Sequence, residues 1–182
     1  MRHLALIPLL LAFSASAAEW RVDHEASRIT FTFTQMGAAV EGTFERFDAA
    51  ITFDADAPED ASVTATIEVD SLATRNGERD EGMKSADWFD VANHPTATFV
   101  SKRFTPAGGD RYDVEGELTI RGRTRSIVLP MTISIDGDRA RAAGEATLDR
   151  RDFGLGQGDW AGDTVIGFDV PVALTIEAER AP

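Results

Sequence analysis

Apolar and hydroxyl residues alternate along much of this chain. Ile29-Thr30-Phe31-Thr32-Phe33-Thr34 runs through three full periods. In a strand that spacing puts Ile29, Phe31 and Phe33 on one face and the threonines on the other. The alternation recurs over residues 51–53, 63–69, 112–120, 127–135 and 170–178. β-branched residues fill these runs and suit a pleated, half-buried surface. Turn chemistry separates them: Asp, Pro and Ala over residues 54–60, Pro106-Ala107-Gly108-Gly109-Asp110, and the hairpin-length Arg121-Gly122-Arg123 and Asp136-Gly137-Asp138. Pro130 and Pro171 fall inside strand patterns. Proline donates nothing to a ladder, so both points are expected at bulges, edges or strand ends. The rhythm breaks over residues 74–94, which are charged and do not alternate. A short helix is predicted over 78–88, with Trp88 and Phe89 on its inner side and Pro95 marking its end. Antiparallel strands at hairpin spacing with one helical insert indicate an all-β closed barrel or a sandwich.

The first 18 residues have a different pattern. Met1-Arg2-His3 is followed by an apolar run from Leu4 to Phe13, broken by Pro8, and then by Ser14-Ala15-Ser16-Ala17-Ala18. A positive start, a short apolar run and small residues at the exit read as a cleavable secretory signal over 1–18. The run is too short for a membrane-spanning helix, which needs roughly 20 residues. The exit carries no cysteine for a lipoprotein anchor. The mature domain is then expected over 19–182 in the periplasm.

Charge and residue inventory narrow the chemistry. The net charge is −13, and loss of the leader with Arg2 makes it one unit more negative. Such acidity disfavours nucleic acid and anionic membranes as partners. The absence of cysteine removes thiol catalysis and thiolate metal sites. Beyond the leader only His24 and His94 remain as histidines. Asp87, Asp90 and His94 lie close enough in sequence to share a cation, but helix termination and a pre-proline turn account for them structurally, so no metal is assigned. There is no Gly-x-Ser-x-Gly elbow. Gly154-Leu155-Gly156-Gln157-Gly158 lacks the strand–turn–long helix setting of a phosphate loop and reads as a turn at a barrel rim, with Trp160 beside it. With 11 Phe and three Trp against one Tyr, the aromatic content favours purely apolar contact.

Five separated motifs resemble the YceI-like family. They are Val22-Asp23-His24-Glu25-Ala26-Ser27-Arg28-Ile29-Thr30-Phe31 with Gly42-x-Phe44-x-x-Phe47; Ser71-Leu72-Ala73-Thr74 with Arg79-Asp80 and Met83-Lys84-Ser85; Asp87-Trp88-Phe89-Asp90-Val91 with His94-Pro95-x-Ala97-x-Phe99-x-Ser101; Gly116-x-Leu118-Thr119-Ile120-Arg121-Gly122; and Arg150-Arg151-Asp152-Phe153-Gly154. The resemblance spans residues 19–178. It departs from the plainest family pattern at Val22 and in the Gln157-Gly158-Asp159-Trp160 insert, which is similar to a variant associated with membrane b-type dihaem cytochromes.

The resemblance implies an antiparallel lipocalin-like barrel of about eight strands. Its tunnel would hold a polyisoprenoid or an isoprenoid quinone, with no enzymatic activity and no cofactor beyond that ligand. The side chains expected to line the tunnel are Phe31, Phe33, Phe44, Phe53, Phe99, Leu118, Ile120, Met131, Ile133, Phe153 and Phe168, with Trp88, Phe89 and Trp160 at its mouth. Candidate partners are the lipid or quinone, a membrane b-type cytochrome and a second copy of the chain as a homodimer. Arg75, Arg79, Asp80, Arg150, Arg151 and Asp152 either pin the helix to the barrel end as Arg–carboxylate pairs or supply one Arg to orient a ligand head group. An enzyme acting on the head group, a quinone-sensing partner protein and a stress protein with a filled core are the rival readings.

Overall fold

The computed structural model describes residues 18–182; the expected leader lies outside them except for Ala18, which opens the first strand. Among the described residues there are ten strands: β1 Ala18–Gln35, β2 Ala38–Phe44, β3 Phe47–Phe53, β4 Ser62–Glu68, β5 Leu72–Ala73, β6 Thr96–Pro106, β7 Arg111–Ile120, β8 Arg123–Asp136, β9 Arg139–Asp149 and β10 Asp169–Arg180. β2 and β3 are two halves of one bent strand. β2 pairs with the far end of β1 from Ile29 to Gln35, and β3 with its start from Ala18 to Trp20. β4 and β5 form a second bent strand, broken by the 3-10 turn at Val69–Ser71. Counted this way, eight strands run up and down in sequence order, and β10 pairs with β1 to close the ring. The expected eight-stranded antiparallel barrel is therefore the fold, and the sandwich is excluded.

Two bulges control which side chains face inward. Along β1, Asp23 opposes Glu177 and Arg28 opposes Thr175, so residues 24–27 bulge opposite the single residue Ile176. Inward positions change there from Trp20 and Val22 to Ser27, Phe31 and Phe33. The period of a strand is two, so an odd offset moves every later side chain to the other face. A smaller bulge at Lys102 on β6 changes the inward set from Ala97 and Phe99 to Phe104.

Ser27 repairs the first bulge. Its hydroxyl donates to the Glu177 carbonyl at 3.2 Å and accepts from the Glu177 N–H at 3.0 Å, replacing the missing ladder bonds at the seam. The Asp23 carboxylate accepts the Glu25 and Ala26 N–H groups and shapes the outer side of the same bulge.

The prolines obey the ladder rule. Pro130 opposes Asp113 on β7 but lies one residue before the β8–β9 pairing starts at Met131. Pro171 opposes Thr147 on β9 but lies just beyond the last β1–β10 pair, Phe31 with Val172. Each therefore stands where one edge has no donor to supply. The β7–β8 hairpin turns on Arg121 and Gly122, both at positive φ (50° and 69°), the twist-matched two-residue connection.

The helix is shorter than the sequence predicts. α1 covers Gly77–Lys84 and stops at Ser85, so Trp88 and Phe89 lie outside it. Consecutive helical side chains are about 100° apart, which would keep one of the two rings out of the core. Tight turns turn both inward instead, through Trp88 N–H to Ser85 O, Phe89 N–H to Met83 O and Asp90 N–H to Ser85 O, with Asp90 at φ 51°.

Ser27→Ala leaves the part-buried Glu177 N–H without its side-chain partner at the closing seam. We expect a loss of about 1–3 kcal/mol in stability, read by urea unfolding with an unchanged m value; a loss below about 0.5 kcal/mol contradicts the clasp assigned to Ser27.

Candidate functional site

The barrel is hollow. A cavity of about 760 Å³ runs along its interior. At one end the sheet closes on an aromatic floor. Trp20 donates its indole N–H to the Phe53 carbonyl at 3.0 Å, and Phe53 packs edge-on against Tyr112 and tilted against Phe104. At the other end a second core cluster gathers Phe31, Phe33, Trp88, Phe89, Phe153 and Ile166. The walls of the chamber are aliphatic and include small side chains, notably Ala140, Ala142 and Ala146 of β9 and Ala49 and Ala65 across the barrel.

Small residues also keep the rings against the wall. A β-carbon on Gly42 would overlap the ring of Phe31, its direct cross-strand neighbour. One on Gly116 would meet the Phe99 ring and lie 2.7 Å from the Val100 carbonyl oxygen. One on Gly144 would overlap the Met131 thioether. Each large side chain lies over a glycine of the next strand and so leaves the lumen open. The close approach, not backbone freedom, explains these three glycines.

The polar and charged residues in the lining are Gln35, Asn76, Glu78, Arg79 and Arg150, all at the end opposite the aromatic floor. Arg79 ties α1 to the barrel: Nε donates to the Thr74 hydroxyl (2.8 Å), Nη2 to the Thr74 carbonyl (2.9 Å) and Nη1 to Gln35 Oε1 (3.2 Å). Asp80 accepts from the Thr74 N–H and hydroxyl. The helix is thus pinned through Thr74, not through an Arg–carboxylate pair as expected.

Arg150 is only 2% exposed. Its guanidinium donates to the carbonyls of Leu155, Gly156, Trp160, Gly162, Ile166 and Gly167, gathering the loop after β9 around one cation. Burial lowers its pKa from the usual arginine value, partly offset by nearby Asp149; a guanidinium still stays charged in a protein. Asp149 caps the turn Arg150–Phe153 and chelates Arg151, whose hydrogen bonds hold its carboxyl below the usual range.

Most of the side chains expected in the tunnel meet at the cavity. Phe31, Phe33, Phe44, Phe99, Leu118 and Ile120 line it from β1, β2, β6 and β7, and Phe53, Met131 and Ile133 line it toward the floor. Phe153 and Trp160 contribute from the loop after β9. Trp88 and Phe89, expected at the mouth, are buried beneath it, whereas Trp160 is 37% exposed at the rim with its ring 5.9 Å from that of Trp88. Phe168 is a correction: it is not among the lining residues. Its ring is half-buried beneath Arg150 and Arg151, 5.1 and 4.0 Å from their guanidinium carbons. It precedes the first β10 residue, so strand alternation does not govern it.

Sequence reasoning missed Trp20 and Phe104, because the bulges reverse the alternation around them. It also missed the β9 alanines, which give a weak apolar signal. Asp90 and His94 lie 4.0 Å apart, and among the described residues no group of three or more candidate ligands could hold a metal.

A closed eight-stranded antiparallel barrel with one apolar chamber and a polar end defines the class of this protein. The chain matches the YceI-like domain over residues 20–178 and belongs to that family. A UPF0312 protein of Pseudomonas savastanoi pv. phaseolicola is 35% identical over 156 residues, 81% of each chain. One from Pseudomonas putida is 32% identical over 173 residues, 90% of each. Among solved structures, Burkholderia cenocepacia BcnA superposes with a TM-score of 0.83 at 31% identity, covering 86% of this chain and 98% of that one. A Saccharophagus degradans domain described as polyisoprenoid binding and implicated in plant cell wall breakdown gives a TM-score of 0.73 at 16% identity, covering 90% and 99%, a likeness of fold.

Gly116→Ala forces Phe99 off the wall. It is expected to cost about 1–3 kcal/mol by overpacking, while Gly82→Ala, where no atom lies within 4 Å of the new carbon, gains about 0.4–1 kcal/mol. Equal effects of the two changes in urea unfolding contradict the wall-packing account.

Proposed function

We propose that this protein is a periplasmic carrier that holds one long apolar molecule of the isoprenoid class, a polyisoprenoid or an isoprenoid quinone, in its barrel chamber. The observation that carries the reading is the chamber itself: about 760 Å³, apolar along its length, closed by aromatics at one end and polar at the other. Water fits such a space poorly, because a buried water needs two to four polar partners and the middle of this chamber has none. A branched hydrocarbon loses nothing by entering. Burial contributes about 0.8 kcal/mol per methylene, or about 4 kcal/mol for a five-carbon unit, before the cost of immobilising the chain. The volume lies within the roughly 300–1,000 Å³ of ordinary ligand sites.

Family membership and the description of the Saccharophagus degradans domain favour the same ligand class. Export to the periplasm is supported by the pattern of residues 1–18: a positive start, a short apolar run and small residues at the exit. Binding rather than catalysis is favoured because, among the described residues, the lining holds no serine, cysteine, histidine or aspartate. A nucleophile paired with a base therefore has no place in it. A membrane cytochrome partner would dock on the loop over residues 154–163, whose Trp160 stands exposed at the rim.

The test is native mass spectrometry of the protein purified from its own cells, with solvent extraction, alongside Ala142→Phe, which puts a ring into the chamber against its floor cluster. The wild type should carry one isoprenoid lipid per chain, and the variant should fold and lose it. An apo wild type that takes up no added polyprenyl lipid or quinone overturns the carrier reading.

A further inference from the structure

One seam of the barrel is only half sewn. β8 and β9 pair from their hairpin turn, Asp136 with Arg139, as far as Met131 with Gly144. Past that point residues 124–130 of β8 pair with β7 alone, and residues 145–149 of β9 pair with β10 alone. Pro130 stands at the fork, with no N–H to carry the ladder on toward Glu145. Both ends of the unpaired stretch are fastened. At the fork the strands approach so closely that a β-carbon on Gly144 would lie 2.6 Å from the Pro130 carbonyl oxygen. At the far end Arg121 Nη1 donates to the Gly154 carbonyl at 2.9 Å, and a β-carbon on Gly154 would meet the Arg123 guanidinium. Between these two points lies a slot about 17 Å long, the rise of the unpaired residues of β9.

The slot opens on the chamber. Ile127 and Leu129 on one lip, and Ala146 and Leu148 on the other, are lining residues. Val128 faces outward and is 53% exposed, and Thr147, its counterpart if the register continued, is exposed as well. Among the described residues no side-chain hydrogen bond or ion pair crosses between these lips. A second break in the wall, beside the β1 bulge, is spanned: the His24 ring packs edge-on to Phe47 of β3, 6.0 Å between centroids, and its Nε2 lies 3.6 Å from Asp48. The chamber ends are harder routes for a hydrocarbon. The floor is tied by Trp20 to the Phe53 carbonyl. The polar end presents Glu78, Arg79 and Arg150, whose solvation a passing apolar chain displaces without replacing it.

Resting on the carrier reading, we infer that the β8–β9 slot is the portal through which the chamber's ligand enters and leaves. Spreading its lips breaks no ladder bond, and the chain slides between aliphatic side chains all the way. A portal is a route and not a site. Closing it therefore changes the rates of entry and exit by one factor and leaves the affinity as it was.

Val128→Cys with Thr147→Cys puts one thiol on each outer lip of a chain that has no cysteine of its own. The pair is bridged as a disulfide or with a short bis-methanethiosulfonate, both cleaved by reductant, and bridging is counted by intact mass. Val100→Cys with Glu117→Cys, an opposed pair on the laddered β6–β7 seam, is bridged in the same way as the control. The probe is a ubiquinone with two isoprene units, whose ring quenches the lining tryptophans Trp20, Trp88 and Trp160, followed by stopped flow in delipidated protein. Bridging the slot should slow association and release together by about tenfold or more, leave Kd unchanged and be reversed by reductant, while the bridged control keeps wild-type rates. Pro130→Thr, which supplies the missing donor, should slow both rates severalfold and decides the matter if no bridge forms. Unchanged rates in the closed forms, equal slowing in the control, or a changed Kd overturns the portal and leaves the carrier reading standing. A wild type that never takes up the probe overturns the carrier reading and the portal with it.

Discussion

The pairing of β10 with β1 is the constraint on which the rest of this structure depends. Without it the strands form an open sheet with two edges and no inside. Closing the ring requires the 18-residue β1 to serve β10 on one side and both halves of a bent neighbour on the other. The four-residue bulge absorbs the mismatch, and Ser27 returns to Glu177 the two hydrogen bonds the bulge removes. The same bulge sets the inward phase of Phe31 and Phe33. Closure, register and the lining of the chamber are thus one problem with one solution.

A closed ring of eight strands can be filled by its own side chains or can hold a ligand. Here the outcome is decided by pairs of large and small residues. Phe31 over Gly42, Phe99 over Gly116 and Met131 over Gly144 keep bulk on the wall, and the alanines of β9 leave the opposite side shallow. Polar side chains are confined to the end where α1 and the Arg150-centred loop meet. The result is a chamber with a direction: aromatic at the floor, polar at the other end.

Much of this was legible in the sequence because the physics is local. Alternation placed Phe31, Phe33, Leu118, Ile120, Met131 and Ile133 on the inner face, and the hairpin turns followed from glycine and aspartate chemistry. The two prolines fell at ladder ends, as a missing donor requires. What was not legible depends on contacts between distant residues. The bulge at Lys102 hid Phe104, and the one after Asp23 hid Trp20. The helix ended four residues early because Trp88 and Phe89 must both turn inward, a demand of the core rather than of helix propensity. Phe168 looked like a tunnel aromatic, yet it serves as the face under Arg150 and Arg151. The repeated arginines gave no hint that Arg150 would be the buried one, bonded to backbone carbonyls, while Arg151 stays outside on Asp149.

The central claim is that the chamber is occupied by a single chain. The most direct measurement is a crystal structure of the protein purified from its own cells without delipidation. The account predicts continuous, branched electron density along the chamber from the Phe53–Tyr112 floor toward its polar end. A chamber filled by ordered water would contradict it.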